Sequence, residues 1–124
     1  DYTVSSSNEI QTVVESMVGN VDVIYAPTDN MIAAGMATVS MIANDNGLPT
    51  VVGESGMVEA GGLVTYGIDY YQLGYMAGEQ AVDILVNGAD ITQMPIGYLD
   101  ASRCELMVNE DTAATLGIDP AVFE

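Results

Sequence analysis

Apolar positions recur along the chain in two rhythms, short runs of β-branched and aromatic residues and longer stripes at helical spacing, which together predict alternating strands and helices. Residues 2–5 read as a short strand, and Ser6-Ser7-Asn8-Glu9 then offers a capping box of Ser6 with Glu9. Ile10, Val13, Val14, Met17 and Val18 follow on one helix face up to Gly19. A second run at 21–26 closes at Pro27, and Thr28-Asp29-Asn30 supplies helix-start residues for a helix over 31–43. That helix is apolar on most faces, which predicts burial, and Asn46-Gly47 and Pro49 end it.

The same alternation continues. Residues 50–53 predict a third strand, Glu54-Ser55-Gly56 a short helix ended by Gly61-Gly62, and 63–68 a fourth strand. Asp69 with Gln72 caps a long helix whose inner side carries Leu73, Met76, Ala77, Ile84 and Leu85 until Asn87-Gly88. Two further short strands are expected at 95–99 and 105–108, then a small helix over 111–116. Strand and helix alternating in this way imply an α/β, Rossmann-like three-layer domain, with a mostly parallel sheet and right-handed crossovers. In such sheets ligands bind beyond the carboxyl ends of the strands, at the switch point of the strand order, so the turns after strands are where function is sought.

Composition narrows what those turns can do. The 124 residues suffice for one α/β core, and 49% of them are apolar, which suits a folded domain. Against 18 acidic residues stands one base, Arg103, with no Lys and no His, for a net charge of −17. Nucleic-acid binding requires clustered cations to displace counterions, so that class is excluded. The acidity has a bland reading, solubility or adaptation to salt, and a sharper one, steering of cations or amines to a cleft. A single thiol, Cys104, excludes an internal disulfide, and no metal cluster with His or a second Cys is available. The start of the chain has no basic or apolar signal region, so an exported protein would have lost its signal.

Enzymatic classes lose their parts in the same way. There is no His for a general base, no Lys for a Schiff base or phosphate clamp, and no Gly-x-Ser-x-Gly elbow. The first turn lacks Gly-x-Gly-x-x-Gly, which disfavours a dinucleotide. The chain is therefore read as not an enzyme and as needing no cofactor. Asp29, Glu54 and Asp69 keep open minor alternatives, glycoside hydrolysis by a carboxylate pair or a stand-alone acidic, flavodoxin-like domain that binds a divalent cation or acts in regulation.

The four strand-end turns hold Ser6, Ser7 and Asn8; Thr28, Asp29 and Asn30; Glu54 and Ser55; and Asp69. Carboxylates suit an ammonium, and hydroxyls and helix N-terminal N–H groups suit a carboxylate, so the set could hold a zwitterion. For any one of these turns helix capping alone is the favoured account, and it is their concurrence that points to a ligand.

Several segments carry a family resemblance: Ser5-Ser6-Ser7-Asn8-Glu9-Ile10-Gln11, Tyr25-Ala26-Pro27-Thr28-Asp29-Asn30, Val52-Gly53-Glu54-Ser55-Gly56-Met57-Val58, Thr65-Tyr66-Gly67-Ile68-Asp69-Tyr70-Tyr71-Gln72-Leu73-Gly74 and Met107-Val108-Asn109-Glu110-Asp111-Thr112-Ala113. In order and spacing they resemble the ABC-type substrate-binding family that includes tryptophan-binding lipoproteins. The resemblance implies a type I periplasmic-binding fold of two lobes closing on a ligand, with this chain as the C-terminal lobe. It implies an extracytoplasmic component of an importer, anchored or periplasmic, that delivers an amino-acid-like ligand to a membrane permease. It also implies that residues 65–88 cross to the other lobe, or swap with a neighbouring copy to give a homodimer. By position, Ser6, Ser7, Asn8, Thr28, Asp29, Asn30, Glu54, Ser55 and Asp69 are the implied ligand contacts, with Asp29 or Asp69 facing the ammonium.

Overall fold

The computed structural model describes all of residues 1–124, and the chain divides into two compact units, one of Asp1–Gly67 with Leu106–Glu124 and one of Ile68–Glu105. In the first unit a 3-10 turn at Ser7–Glu9 leads into α1 (Ile10–Met17). There follow β1 (Ile24–Ala26), α2 (Asn30–Ala34), α3 (Met36–Asp45), β2 (Thr50–Val52), α4 (Ser55–Glu59) and β3 (Val64–Ile68). The second unit holds α5 (Tyr70–Leu85), and the chain returns to the first through β4 (Cys104–Val108) and α6 (Glu110–Leu116).

The strands lie in the order β1-β2-β3-β4. β1 and β2 are parallel, with Ile24 opposite Thr50 and Ala26 opposite Val52, and β2 and β3 are parallel with Val51 opposite Val64. The order is sequential, so these four strands contain no reversal, and the expected switch point is not among them. The alternation of side chains explains the core. Ile24, Ala26 and Val52 point to one face, where Ile10 and Val14 of α1, Met36, Val39, Ile42 and Ala43 of α3, and Met57 and Val58 of α4 bury against them. On the opposite face Val64 is buried with Ala113 of α6, whereas Tyr25 and Tyr66 remain 67% and 63% exposed.

Four expectations are corrected. Residues 2–5 form no strand, because a strand exists only where a neighbour accepts its ladder, and this segment pairs with none; Val4 merely packs on the core. Residues 95–99 form no strand for the same reason, and Ile96 and Tyr98 stay exposed. The helix expected over 31–43 is broken at Gly35, where the end of the Ile10 side chain occupies the place a Cβ would take. Only α3 among the two pieces is buried, and its Met41 faces solvent. Finally, α5 buries no residue: Leu73, Met76 and Ile84 are half-covered, while Ala77 and Leu85 of the expected inner side are exposed.

The C-terminal segment is held in the first unit by Asn109. Its backbone N–H donates to Leu63 O at 2.9 Å and its side-chain amide donates to Val58 O at 2.9 Å, while its Oδ1 accepts from Thr112 N at 2.9 Å and caps α6. Thr112 adds a hydroxyl bond to Gly61 O at 3.0 Å. No helix of the chain is long and apolar enough to cross a membrane.

Candidate functional site

In the first unit the turns after β1 and β2 converge with Gly67 of β3 at the carboxyl ends of the strands. Gly53 ends β2 directly against Thr28, and any Cβ there would collide with the Thr28 backbone nitrogen and hydroxyl. Its own N–H donates to Ala26 O at 2.9 Å, which continues the β1–β2 pairing into the turn. Only a glycine permits this approach, so Gly53 sets the distance between the turn of Thr28, Asp29 and Asn30 and the turn of Glu54 and Ser55. A Cβ placed on Gly67 would stand 3.6 Å from Ser55 N, so the end of β3 reaches the same place.

Asp29 caps α2, with Oδ1 accepting from Met31 N at 2.8 Å and Ile32 N at 3.0 Å. Both bonds fall on one oxygen, which leaves Oδ2 for another partner. Glu54 sits at the N-cap of α4 in extended conformation and its side chain makes no cap bond, so its carboxylate is uncommitted as well. Thr28, Asn30 and Ser55 are exposed beside them. Five of the expected residues, Thr28, Asp29, Asn30, Glu54 and Ser55, thus share one edge of the first unit.

Ser6, Ser7 and Asn8 stand apart from that convergence, in the 3-10 turn ahead of α1. Ser6 makes no side-chain cap bond, so the expected capping box is only half formed: Glu9 reaches back to Ser5 N at 3.0 Å rather than to the residue at the cap. Next to this region lies an apolar cleft of about 290 Å³ between α1, β1 and α2, lined among others by Val4, Val14, Ile24 and Ile32, with Asp29 as its single carboxylate.

Asp69 belongs to the second unit, where it caps α5 as expected, Oδ1 accepting from Tyr71 N at 2.9 Å and Gln72 N at 3.1 Å. It lines a cleft of about 410 Å³ with Gln72, Ser102, Arg103 and Glu105. Arg103 is not at the end of a predicted strand and was not among the expected contacts. The signal that marks it is compositional: it is the one base in the chain. Nearby, Ser102 donates its N–H to Asp100 Oδ1 at 2.8 Å, and the Ser102 hydrogen bonds, side chain first and backbone second, hold the Asp100 carboxyl below its ordinary value. No three His, Cys, Asp or Glu side chains converge to hold a metal ion, so the divalent-cation alternative finds no ligand cluster.

Comparison with known proteins bears on what these edges serve. The family described as ABC transporter substrate binding protein matches residues 1–121. A tyrosine-binding protein of Clostridioides difficile (strain R20291) is 42% identical over 113 residues, covering 91% of this chain but only 32% of that protein. Among solved structures, the ligand-free, open form of a substrate binding protein with adhesive properties from Clostridium difficile superposes with a TM-score of 0.72 at 43% identity, over 94% of this chain and 38% of that one. An ABC domain in complex with L-Trp from Streptococcus pneumonia gives a TM-score of 0.80 at 34% identity, over 97% of this chain and 40% of that one. A conserved domain protein from Vibrio cholerae reaches 0.82 at 28% identity, with 98% and 40% covered. The matched stretch includes every strand-end turn described above, and the chain belongs to the ABC transporter substrate-binding protein family.

Proposed function

We propose that this chain is part of the extracytoplasmic solute-binding component of an ABC importer, which captures an amino acid with an aromatic side chain and passes it to a membrane permease without chemistry at the site. The observation that carries the reading is the convergence of Thr28, Asp29, Asn30, Glu54 and Ser55 at the strand ends, organised by the contact of Gly53 with Thr28. Uncommitted carboxylate oxygens on Asp29 and Glu54 suit an ammonium, and hydroxyl and amide groups beside them suit the remainder of a polar ligand head. Ser6, Ser7, Asn8 and Asp69 lie outside this convergence and are ligand contacts only by the family resemblance. The ligands named for two relatives, tyrosine and L-Trp, give the side-chain class.

The chain spans 32% of the curated relative's length, and its place as the C-terminal lobe of a two-lobed protein, periplasmic or lipid-anchored, rests on the family resemblance. Within that proposal the segment that belongs with the first lobe, expected at 65–88, is read as Ile68–Glu105, which forms a unit of its own and whose helix buries nothing here. Expressed alone, residues 1–124 leave Tyr71, Leu85 and Val86 exposed, and exchange of this segment with a second copy is the expected way to cover them. Size-exclusion chromatography at two concentrations checks this, and a monomer at both counts against it.

Isothermal calorimetry on the intact protein, titrated with a panel of amino acids, tests the function. Binding of L-tyrosine or L-tryptophan, weakened by Asp29→Asn or Glu54→Gln, is the expected outcome. Flat heats across the whole panel would sink the reading.

A further inference from the structure

We propose that in the intact protein a strand and the helix after it, from the part of the polypeptide that precedes Asp1, fill the cleft along the free edge of β1 and cover the bare sheet face beside it. This rests on the chain being part of a longer polypeptide, as proposed above, and not on the identity of the ligand. The relatives have chain enough for such a unit: this one spans 32% of the tyrosine-binding protein and 38–40% of the solved structures.

β1 pairs along one edge only. Ile24 N–H donates to Pro49 O at 3.0 Å and Ala26 O accepts from Gly53 N at 2.9 Å, both toward β2. Alternate residues of a strand bond to opposite sides, so the N–H and C=O of Tyr25 point away from β2, to an edge where no strand pairs. The apolar cleft of about 290 Å³ runs along that edge. Ile24 and Ala26, which point to one face of the sheet, and Tyr25, which points to the other, all line it, whereas a cleft over one face would take only one of these sets. Tyr2, Thr3 and Val4 line it as well without pairing to β1. One strand laid along the edge satisfies Tyr25 and gives residues 2–5, which have strand composition, a partner on its other side.

The connections of the first unit decide where the accompanying helix goes. α3, between β1 and β2, and α4, between β2 and β3, bury against the same face as α1. Right-handed crossovers that advance in one direction put their helices on one face, and a connection running the other way puts its helix on the opposite face. With the added strand between residues 2–5 and β1, its connection to residues 2–5 runs the other way. Its helix then lands on the face of Tyr25, Val51 and Tyr66, all exposed, where α6 reaches only Val64. The reversal that the order β1-β2-β3-β4 lacks falls at the β1 edge, where Asp29 borders the cleft, and ligands of such sheets bind beside a reversal. A second copy pairing edge to edge is the competing occupant, and it brings no helix to the bare face.

The test compares amide hydrogen exchange, followed by NMR, in residues 1–124 alone and in the intact protein. The Tyr25 N–H is expected to exchange fast in the first and roughly a hundredfold or more slower in the second, whatever the protein concentration. Tyr25→Pro is expected to leave the melting temperature of residues 1–124 nearly unchanged, because an edge strand tolerates proline where its N–H faces solvent. The same substitution should lower the melting temperature of the intact protein by several degrees, because a central strand does not tolerate it. Tyr25→Ala keeps the N–H and should cost the intact protein less than Tyr25→Pro. Equal exchange of Tyr25 in the two proteins overturns the proposal. Protection that grows with the concentration of residues 1–124 assigns the edge to a second copy and overturns it too. Exchange requires no substitution, so it decides the question even if Tyr25→Pro fails to fold. An intact protein that protects Tyr25 yet binds no amino acid sinks the solute-binding reading and leaves this one standing.

Discussion

The two units are built from similar helix signals and differ in what those signals lead to. The first, Asp1–Gly67 with Leu106–Glu124, contains every fully buried side chain, from Ile10 to Ala113. The second, Ile68–Glu105, contains the longest helix and buries none. Both have an aspartate cap at a helix start, Asp29 in one and Asp69 in the other, with nearly the same geometry. A helix in water derives little stability from caps and propensity alone, and tertiary packing of an apolar face supplies most of it. The comparison teaches that the first unit carries its stability in its own core, whereas the second has a helix made by local chemistry and awaiting a partner face.

Four experiments break or sharpen this contrast. The largest effect is expected from truncation in the core of the first unit. Leu63→Ala or Met57→Ala, at sites 1% and 0% exposed, should cost about 2–5 kcal/mol in urea unfolding. Leu85→Ala in α5, 82% exposed, should change stability by less than about 0.5 kcal/mol. A cost at Leu85 comparable with that at Leu63 would abolish the distinction.

Next comes the tie that closes the first unit. Asn109→Ala removes the cap of α6 and the amide bond to Val58 O, and should cost about 2 kcal/mol. Asn109→Asp retains the capping oxygen but loses the donor, so it should fall between the two, as read by denaturant midpoints.

The caps themselves provide the third comparison. Asp29→Ala and Asp69→Ala should each remove about 1 kcal/mol of local helix stability, but the effects should appear in different places. Asp29→Ala should lower the global unfolding midpoint, because α2 is packed against the core through Met31 and Ile32. Asp69→Ala should leave that midpoint nearly unchanged and speed amide exchange in the first turn of α5.

The smallest effect is a pH response confined to the second unit. Hydrogen bonds from Thr92 hold Asp90, and those from Ser102 hold Asp100, below the ordinary aspartate value. A carboxyl lowered in the folded state stabilises that state while ionised. The contribution is complete above the ordinary aspartate range and disappears as pH falls through the lowered value. Both groups lie at the surface, so the shift is better read by NMR titration of each carboxyl than by unfolding. Ser102→Ala should move the Asp100 midpoint upward and leave Asp90 in place.

Much of the fold could be read locally. The stripe from Ile10 to Met17, the Asp69 cap with its long helix, the short helix after Glu54 and the helix ending at Leu116 all depend on contacts within a few residues, and all are present. Among the candidate contacts, Thr28, Asp29, Asn30, Glu54 and Ser55 could be picked out because turns after strands advertise themselves by their caps. Arg103 could not, since only the fold brings it into one cleft with Asp69 and Gln72, 34 and 31 residues earlier in sequence. Gly53 was equally silent: nothing in its neighbours in sequence indicates that Thr28 lies against its Cα.

By itself the sequence determined where α1, α4, α5 and α6 lie, the absence of any cationic surface for nucleic acid, and the order of the strand-end turns, because caps, spacing and net charge are properties of neighbouring residues or of simple sums. Tertiary structure decided which apolar runs became strands, since residues 2–5 and 95–99 have the right composition but no edge to pair with. It decided that the stretch from Asn30 to Asp45 is two helices meeting at Gly35, where the Ile10 side chain leaves no room for a Cβ. It also decided that a long amphipathic helix in one unit stays uncovered while shorter ones in the other are buried, because burial requires a facing surface, and that surface is built by residues far away along the chain.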